Sequence, residues 1–159
     1  MKYSRFEDLP VWKDAIELAV RVYQLTSHAA FKGRYSLKDQ LECAAVSISN
    51  NIAEGFERGT TQETLTFLYI SRGSAGETRS VFCLCERLPG FSDLRSEISD
   101  LKKQAESISR QLRRWADSLQ NSDIRGQRYL TNKSRTKTKE DRERAEFLKE
   151  LEEIRISKP

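Results

Sequence analysis

The feature that most constrains the fold is a heptad pattern of apolar residues between residues 94 and 119. The apolar positions alternate spacings of four and three without a break: Leu94, Ile98, Leu101, Ala105, Ile108, Leu112, Trp115 and Leu119. On an α-helix this pattern forms one continuous apolar stripe, which other helices must cover. The chain is therefore expected to form a helix bundle.

Three further helices are predicted upstream of this stripe. The first begins at Asp8 as its N-cap, with Pro10 in the first turn. Ser36 with Asp39, and Thr60 with Glu63, have the spacing of capping boxes and predict the starts of the second and third helices. Since the connections are short, the simplest all-α fold is an antiparallel up-down-up-down four-helix bundle over residues 1–121.

The first predicted helix carries two adjacent apolar rows. One row contains Trp12, Ile16, Ala19 and Tyr23, and the other contains Ala15, Leu18, Val22 and Leu25. Two rows exceed what one bundle seam requires. We therefore expect this helix to be covered on two sides, once by its own bundle and once by another subunit as the candidate partner.

Two glycines, Gly73 and Gly76, fall inside the third predicted helix. Each costs about 1 kcal/mol relative to alanine in a helix interior. We expect a close helix approach or a kink to compensate for this cost.

The composition changes after Asn121. From Ile124 to Lys139 the chain has basic residues and no acid, whereas a final segment is rich in both charges. We predict a mobile basic linker over residues 122–139 and a short charged amphipathic helix over residues 140–159.

The net charge of +4 permits a polyanionic partner without requiring one. Basic rows on the fourth helix can contact phosphates, and the tail can follow an RNA backbone while its tyrosine stacks on a base. The candidate RNA-binding residues are Lys103, Arg110, Arg114, Arg125, Arg128, Tyr129, Lys133, Arg135, Lys137 and Lys139. A second basic row contains Arg95, Lys102 and Arg113. For the two rows on the fourth helix we favour an ordinary solvated surface, because Glu106 and Asp117 are interspersed among them.

No enzyme motif emerges from the sequence. The single histidine, His28, lies near a helix end without a glutamate three residues before it, which argues against a di-iron site. Cys83 and Cys85 point in different directions on a helix, so both cannot bind one metal. We expect no catalysis, no cofactor and no metal. The odd cysteine count and the lack of a long apolar segment predict a cytoplasmic protein without a membrane partner.

The second helix places Ser47, Asn51 and Glu54 beside its apolar stripe. Polar groups at the margin of a core must find partners or lose free energy through desolvation. The stripe is either a recognition or assembly site or a hydrogen-bond network that fixes helix register, and we favour the network.

Five segments together resemble the proteins encoded in 23S rRNA intervening sequences. They are FEDLPVWKDA (6–15), YSL (35–37), QL (40–41), SISNNIAEGF (47–56) and SRGSAGE (71–77). The resemblance extends over about residues 5–120. It implies compact antiparallel four-helix bundles that assemble into homopentameric rings. Trp12, Asn50, Asn51, Glu54 and Gly55 match the family pattern, and the resemblance assigns them to fold and assembly.

Relatives with this architecture are accessory proteins of reverse transcriptases in diversity-generating retroelements, with a basic surface associated with RNA and reverse transcriptase binding. The resemblance therefore implies a non-enzymatic homo-oligomer that binds RNA, with a reverse transcriptase as a further candidate partner. The alternative is a protein-protein adaptor or scaffold ring without direct nucleic-acid binding. Salt dependence separates the two hypotheses, because phosphate contacts release counterions and an apolar interface does not.

Overall fold

The computed structural model describes residues 3–121, 143–144 and 146–149. The first of these ranges contains four long helices and no strand. They are α1 (Pro10–Thr26), α2 (Tyr35–Glu57), α3 (Thr61–Cys85) and α4 (Arg95–Gln120), and three 3-10 turns lie at Phe6–Asp8, Ala29–Phe31 and Ser92–Leu94. The all-α prediction is therefore confirmed.

The core lies among the four helices. Helix α1 packs against α2 and α4, and α3 packs against the same two helices. The predicted α4 stripe is buried from Leu94 to Leu112, but Trp115 and Leu119 are only partly buried, and Ala116 takes the buried position. A straight helix drifts about 20° per heptad against a strict seven-residue repeat, which explains why the buried row shifts at its end.

The start of α1 differs from the prediction. Asp8 lies in a 3-10 turn, and the N-cap is Leu9, which makes no side-chain capping bond. The Leu9 N–H donates to the Phe6 carbonyl over 3.0 Å, and the Leu9 side chain is buried. Pro10 then occupies the first helical turn, where its missing N–H has no cost. Burial of Leu9 therefore sets the helix start, and the prediction of an Asp8 cap was wrong.

The starts of α2 and α3 follow different rules. Ser36 lies inside α2, whose N-cap is Arg34 without a side-chain capping bond, so the predicted Ser36 box was wrong. The Arg34 guanidinium instead donates to the Ala30 and Pro89 carbonyls and stacks on Phe91, anchoring the start of the helix. At α3 the predicted start is confirmed, because Thr60 is the N-cap and its Oγ1 accepts from the Glu63 N–H over 3.2 Å. The Glu63 carboxylate accepts from Thr60 Oγ1.

Only one apolar side of α1 is covered within residues 3–121. Ala15, Leu18, Val22 and Leu25 are buried, as is Ala19 from the other row. On the opposite side Ile16, Val20 and Tyr23 are 36%, 51% and 53% exposed. The expected second cover is therefore not supplied by the described part of this chain.

The chain divides into two compact units, Met1–Gly126 and Gln127–Pro159. In the second unit residues 143–144 and 146–149 are helical, and Phe147 and Leu148 are exposed. The predicted linker at 122–139 and most of the predicted helix at 140–159 lie outside the described residues, so these domain boundaries stay a prediction.

Candidate nucleic-acid interface

Two of the three predicted α4 cations are held in ion pairs. Lys103 Nζ lies 3.3 Å from Asp100 Oδ1, and Arg110 Nη1 lies 3.0 Å from Glu106 Oε1. All four side chains are exposed, so each pair is weak and leaves the cation available to a stronger acceptor. Arg114 is exposed and has no ion pair within residues 3–121. Lys103 and Arg110 therefore each have a neighbouring acid, whereas Arg114 does not.

The second basic row of α4 has a structural component. Lys102 Nζ lies 2.6 and 2.7 Å from the two carboxylate oxygens of Glu86, so it bridges α4 to the end of α3. Both side chains are partly buried, which strengthens the pair relative to an exposed one. Arg113 Nε is 3.7 Å from Asp117 Oδ2, and both of these side chains are exposed.

Sequence reasoning missed two arginines on α3. Arg72 and Arg79 lie seven residues apart and are partly buried. Neither makes an ion pair within the described ranges, and the buried Nε of Arg79 has no hydrogen-bond partner there. The sequence contains a signal for them, because no acid lies three or four positions before or after either arginine.

The predicted tail contacts lie outside the described residues. These candidates are Arg125, Arg128, Tyr129, Lys133, Arg135, Lys137 and Lys139. Their role in RNA binding stays a prediction.

The polar stripe of α2 faces α3 through Ser47 and Asn51. Asn51 Nδ2 donates to the Ser47 carbonyl over 2.6 Å and to Ser47 Oγ over 2.9 Å. Ser47 Oγ lies 3.0 Å from Ser74 Oγ on α3, and the buried Ser71 Oγ donates to the Ile48 carbonyl over 2.8 Å. This network satisfies polar groups between two packed helices, which supports its interpretation as a device that fixes their register.

The five residues that match the family pattern occupy different environments. Gly55 is buried at a close approach of α2 to α3, where an added Cβ would lie 2.8 Å from Phe67 Cβ. Asn50 and Glu54 are exposed, and Glu54 forms an ion pair with Arg58 one turn later. Trp12 is partly buried and packs edge-to-face on Phe6, with ring centroids 5.2 Å apart. With Asn51 in the α2–α3 network, at least two of the five residues serve the fold of the single chain.

The glycines of α3 differ from expectation. An added Cβ at Gly73 or Gly76 would meet no atom within 4 Å, and both positions are exposed. The expected close helix approach is therefore absent at these two positions within the described part of the chain.

The histidine and the buried cysteine, two groups with catalytic potential, have structural roles. His28 Nδ1 accepts from the Ala30 N–H over 3.1 Å and so caps a 3-10 turn. Burial raises the pKa of the Cys85 thiol to about 11, which keeps it protonated and a poor nucleophile at neutral pH. Among the described residues no cluster of three His, Cys, Asp or Glu side chains could hold a metal ion.

Over the same residues, every helix is too short or too polar to cross a bilayer.

Residues 3–121 form an all-α unit of four long helices, and the arginines there without an acidic partner include Arg72 and Arg79 on α3 and Arg95 and Arg114 on α4. The family model for the 23S rRNA-intervening sequence protein matches residues 7–114, which include α1, α2, α3 and most of α4. The chain belongs to this family, and the resemblance drawn from its motifs is confirmed. No curated protein matches the chain.

Proposed function

We propose that the protein is a non-enzymatic homo-oligomer of four-helix bundles that binds RNA or an RNA-protein complex. The observation that carries this proposal is the presence of arginines on α3 and α4 without acidic partners in residues 3–121, namely Arg72, Arg79, Arg95 and Arg114. Unpaired guanidinium groups attract phosphate and can bind it through two parallel hydrogen bonds. Membership of the 23S rRNA-intervening sequence family agrees with an RNA-associated role.

The proposed bundle has up-down-up-down topology. Hydrogen bonds between neighbouring helices join Asp14 with Gln111, Arg21 with Gln104, Gln40 with Glu77, Ser47 with Ser74, Tyr69 with Gln120, and Lys102 with Glu86. For each pair of helices, residue numbers rise on one helix as they fall on the other. This pattern supports antiparallel neighbours around a four-helix core.

Homo-oligomer formation would cover the exposed side of α1. Ile16, Val20 and Tyr23 border an open depression of about 490 Å³ whose lining is almost entirely apolar. Adjacent exposed apolar side chains are typical of protein-protein contact surfaces. A second copy is the proposed occupant, and the family resemblance implies a ring of five. A ring would also bring several modest basic surfaces to one RNA, so that weak contacts suffice for binding.

Partner and compartment follow from the same proposal. The resemblance implies an RNA-protein complex with a reverse transcriptase as one partner. A cytoplasmic location agrees with the free thiols of all three cysteines, Cys43, Cys83 and Cys85. We assign the protein no catalytic step, since His28 caps a 3-10 turn and the Cys85 thiol is buried and protonated at neutral pH.

The second candidate is an adaptor ring that binds only proteins. It is favoured by the ion pairs of Lys103 and Arg110, which reduce the positive field of α4, together with the apolar side of α1. In this case the remaining cations would serve solubility.

Binding of total cellular RNA across a salt series tests the proposal, with the full chain compared with a version that ends at Asn121. The RNA hypothesis predicts binding that weakens steeply with salt, because each phosphate contact contributes about 0.7 to 0.9 to the slope. A shallower slope after truncation would assign part of the binding to the tail. No binding at low salt would leave the adaptor as the better hypothesis.

A further inference from the structure

The geometry points to the edge between α3 and α4 as an RNA phosphate site, with Arg72 and Arg79 as its contact residues. We call this surface the arginine edge and define it by Arg72, Arg79 and the neighbouring Arg113 of α4. This inference rests on the proposed RNA association and specifies where on the helical unit the RNA binds.

Two contacts mark the ends of the arginine edge. Near one end Gln120 Nε2 donates to the Tyr69 hydroxyl over 2.6 Å, and at the other end Lys102 Nζ bonds to Glu86 over 2.6 Å. Arg72 and Arg79 precede Glu86 by multiples of seven residues, so the three side chains share one face of α3. Since Glu86 contacts α4, the two arginines lie along the line where α3 meets α4.

Short side chains of α4 lie near the two arginines. Counting from the Lys102 contact places Ser109 level with Arg79 and Ala116 level with Arg72, whereas counting from the Gln120 contact places Arg110 and Asp117 at these levels. Ser109 is partly buried and Ala116 is buried. Long arginine stems can therefore lie across α4 while their charged ends stay near the surface, in agreement with the partial burial of both arginines.

The excess positive charge of the arginine edge comes from α3. Lys102 is neutralised by Glu86, and Arg113 has Asp117 at 3.7 Å. No carboxylate within residues 3–121 pairs with Arg72 or Arg79. These two guanidinium groups therefore contribute net charge that the other cations of the edge do not.

Arg79 also lacks a hydrogen-bond acceptor. Its Nε is buried without a partner in the described residues, an arrangement that is rare for a charged donor in a native structure. Its two Nη atoms are not fully buried and bond to no described residue, so they are the atoms that an RNA phosphate would contact. The separation of seven positions between Arg72 and Arg79 corresponds to about 10 Å along a helix, so the two side chains can contact different phosphates.

The test compares two variants of the full chain that remove the same charge. Arg72→Gln with Arg79→Gln neutralises the arginine edge. The control, Lys13→Gln with Lys32→Gln, neutralises two exposed cations elsewhere that make no ion pair within residues 3–121. Each protein is titrated with one labelled RNA hairpin over a salt series, and its melting temperature is recorded to compare folding.

We expect the arginine variant to bind at least tenfold more weakly than the control at low salt, with a salt slope lower by about 0.7 for each lost contact. A variant that carries only Arg79→Lys retains the charge but loses the planar guanidinium group. Its salt slope should equal that of the unmodified chain, and its affinity should lie between those of the unmodified chain and the arginine variant. An affinity and slope equal to those of the control would overturn the inference, and the arginines would then belong to another partner class such as an acidic protein surface. Failure of the unmodified chain to bind any RNA would instead refute the proposed function and this inference with it.

Discussion

Replacement of Gly55 by alanine should destabilise the protein, although alanine is the better helix former. The new Cβ would lie 2.8 Å from Phe67 Cβ and 3.4 Å from the Thr64 carbonyl oxygen. Phe67 Cβ is fixed to the backbone of α3, so relief of the clash requires α2 and α3 to move apart. Overpacking of this kind costs about 1–3 kcal/mol, and the gain in helix propensity offsets about 1 kcal/mol of it. We therefore expect a net loss of about 1 kcal/mol, with about 2 kcal/mol as the upper value.

Gly73→Ala is the matched control, because an added Cβ at Gly73 meets nothing within 4 Å. Without a clash, the same substitution should stabilise the helix by about 1 kcal/mol. The two variants should therefore differ by about 2–3 kcal/mol in the free energy of unfolding, or by roughly 4–12 °C in Tm for a chain of this size.

Urea and thermal unfolding, followed by circular dichroism at one protein concentration, measure this difference, since assembly would make the apparent stability depend on concentration. If Gly55→Ala stabilises the protein as much as Gly73→Ala does, the close approach of α2 and α3 at Gly55 is refuted.

Three further predictions concern the network, the apolar side of α1 and the buried thiol. Asn51→Leu removes the donor to Ser47 and should cost about 1–3 kcal/mol in urea unfolding without changing RNA affinity; selective loss of RNA binding at unchanged stability would contradict this assignment. Ile16→Glu should lower the mass measured by light scattering and preserve helicity, since Ile16 is already exposed, and an unchanged mass would remove this side of α1 from the interface. At pH 8 a thiol reagent should modify the exposed Cys43 rapidly and Cys85 slowly, because burial raises the pKa of Cys85 to about 11; equal rates would contradict its burial. The raised pKa also predicts that this thiol lowers stability as the pH rises from about 9 to about 11, since the unfolded chain loses the proton first.

The sequence predicts the helices better than it predicts their ends. The α4 stripe and the Thr60 N-cap are local patterns whose physical cause lies within a few residues; the stripe is confirmed from Leu94 to Leu112, and the cap is confirmed by the bond from the Glu63 N–H. The start of α1 depends on burial of Leu9, and the start of α2 depends on contacts of Arg34 with the distant Pro89. Such tertiary contacts override a capping signal and cannot be derived from spacing alone.

Charge at the candidate interface was harder to predict for a related reason. Basic spacing identifies Lys103 and Arg110 as surface cations, but it does not reveal which acids they pair with. Arg72 and Arg79 have no acid three or four positions away, but the sequence does not show that they lie beside α4 or that the Nε of Arg79 is buried without a partner. Spacing along one helix therefore does not reveal which neighbouring helix its cations face.

Ultraviolet cross-linking in cells that express the chain is the most direct test of RNA association. The protein is recovered under denaturing conditions, and covalently attached RNA is detected by a nuclease-sensitive label. The proposed function predicts a clear RNA signal for the unmodified chain, with a much weaker signal for the variant that carries Arg72→Gln and Arg79→Gln. A signal from the unmodified chain no higher than that of an unrelated protein of similar charge would contradict RNA binding.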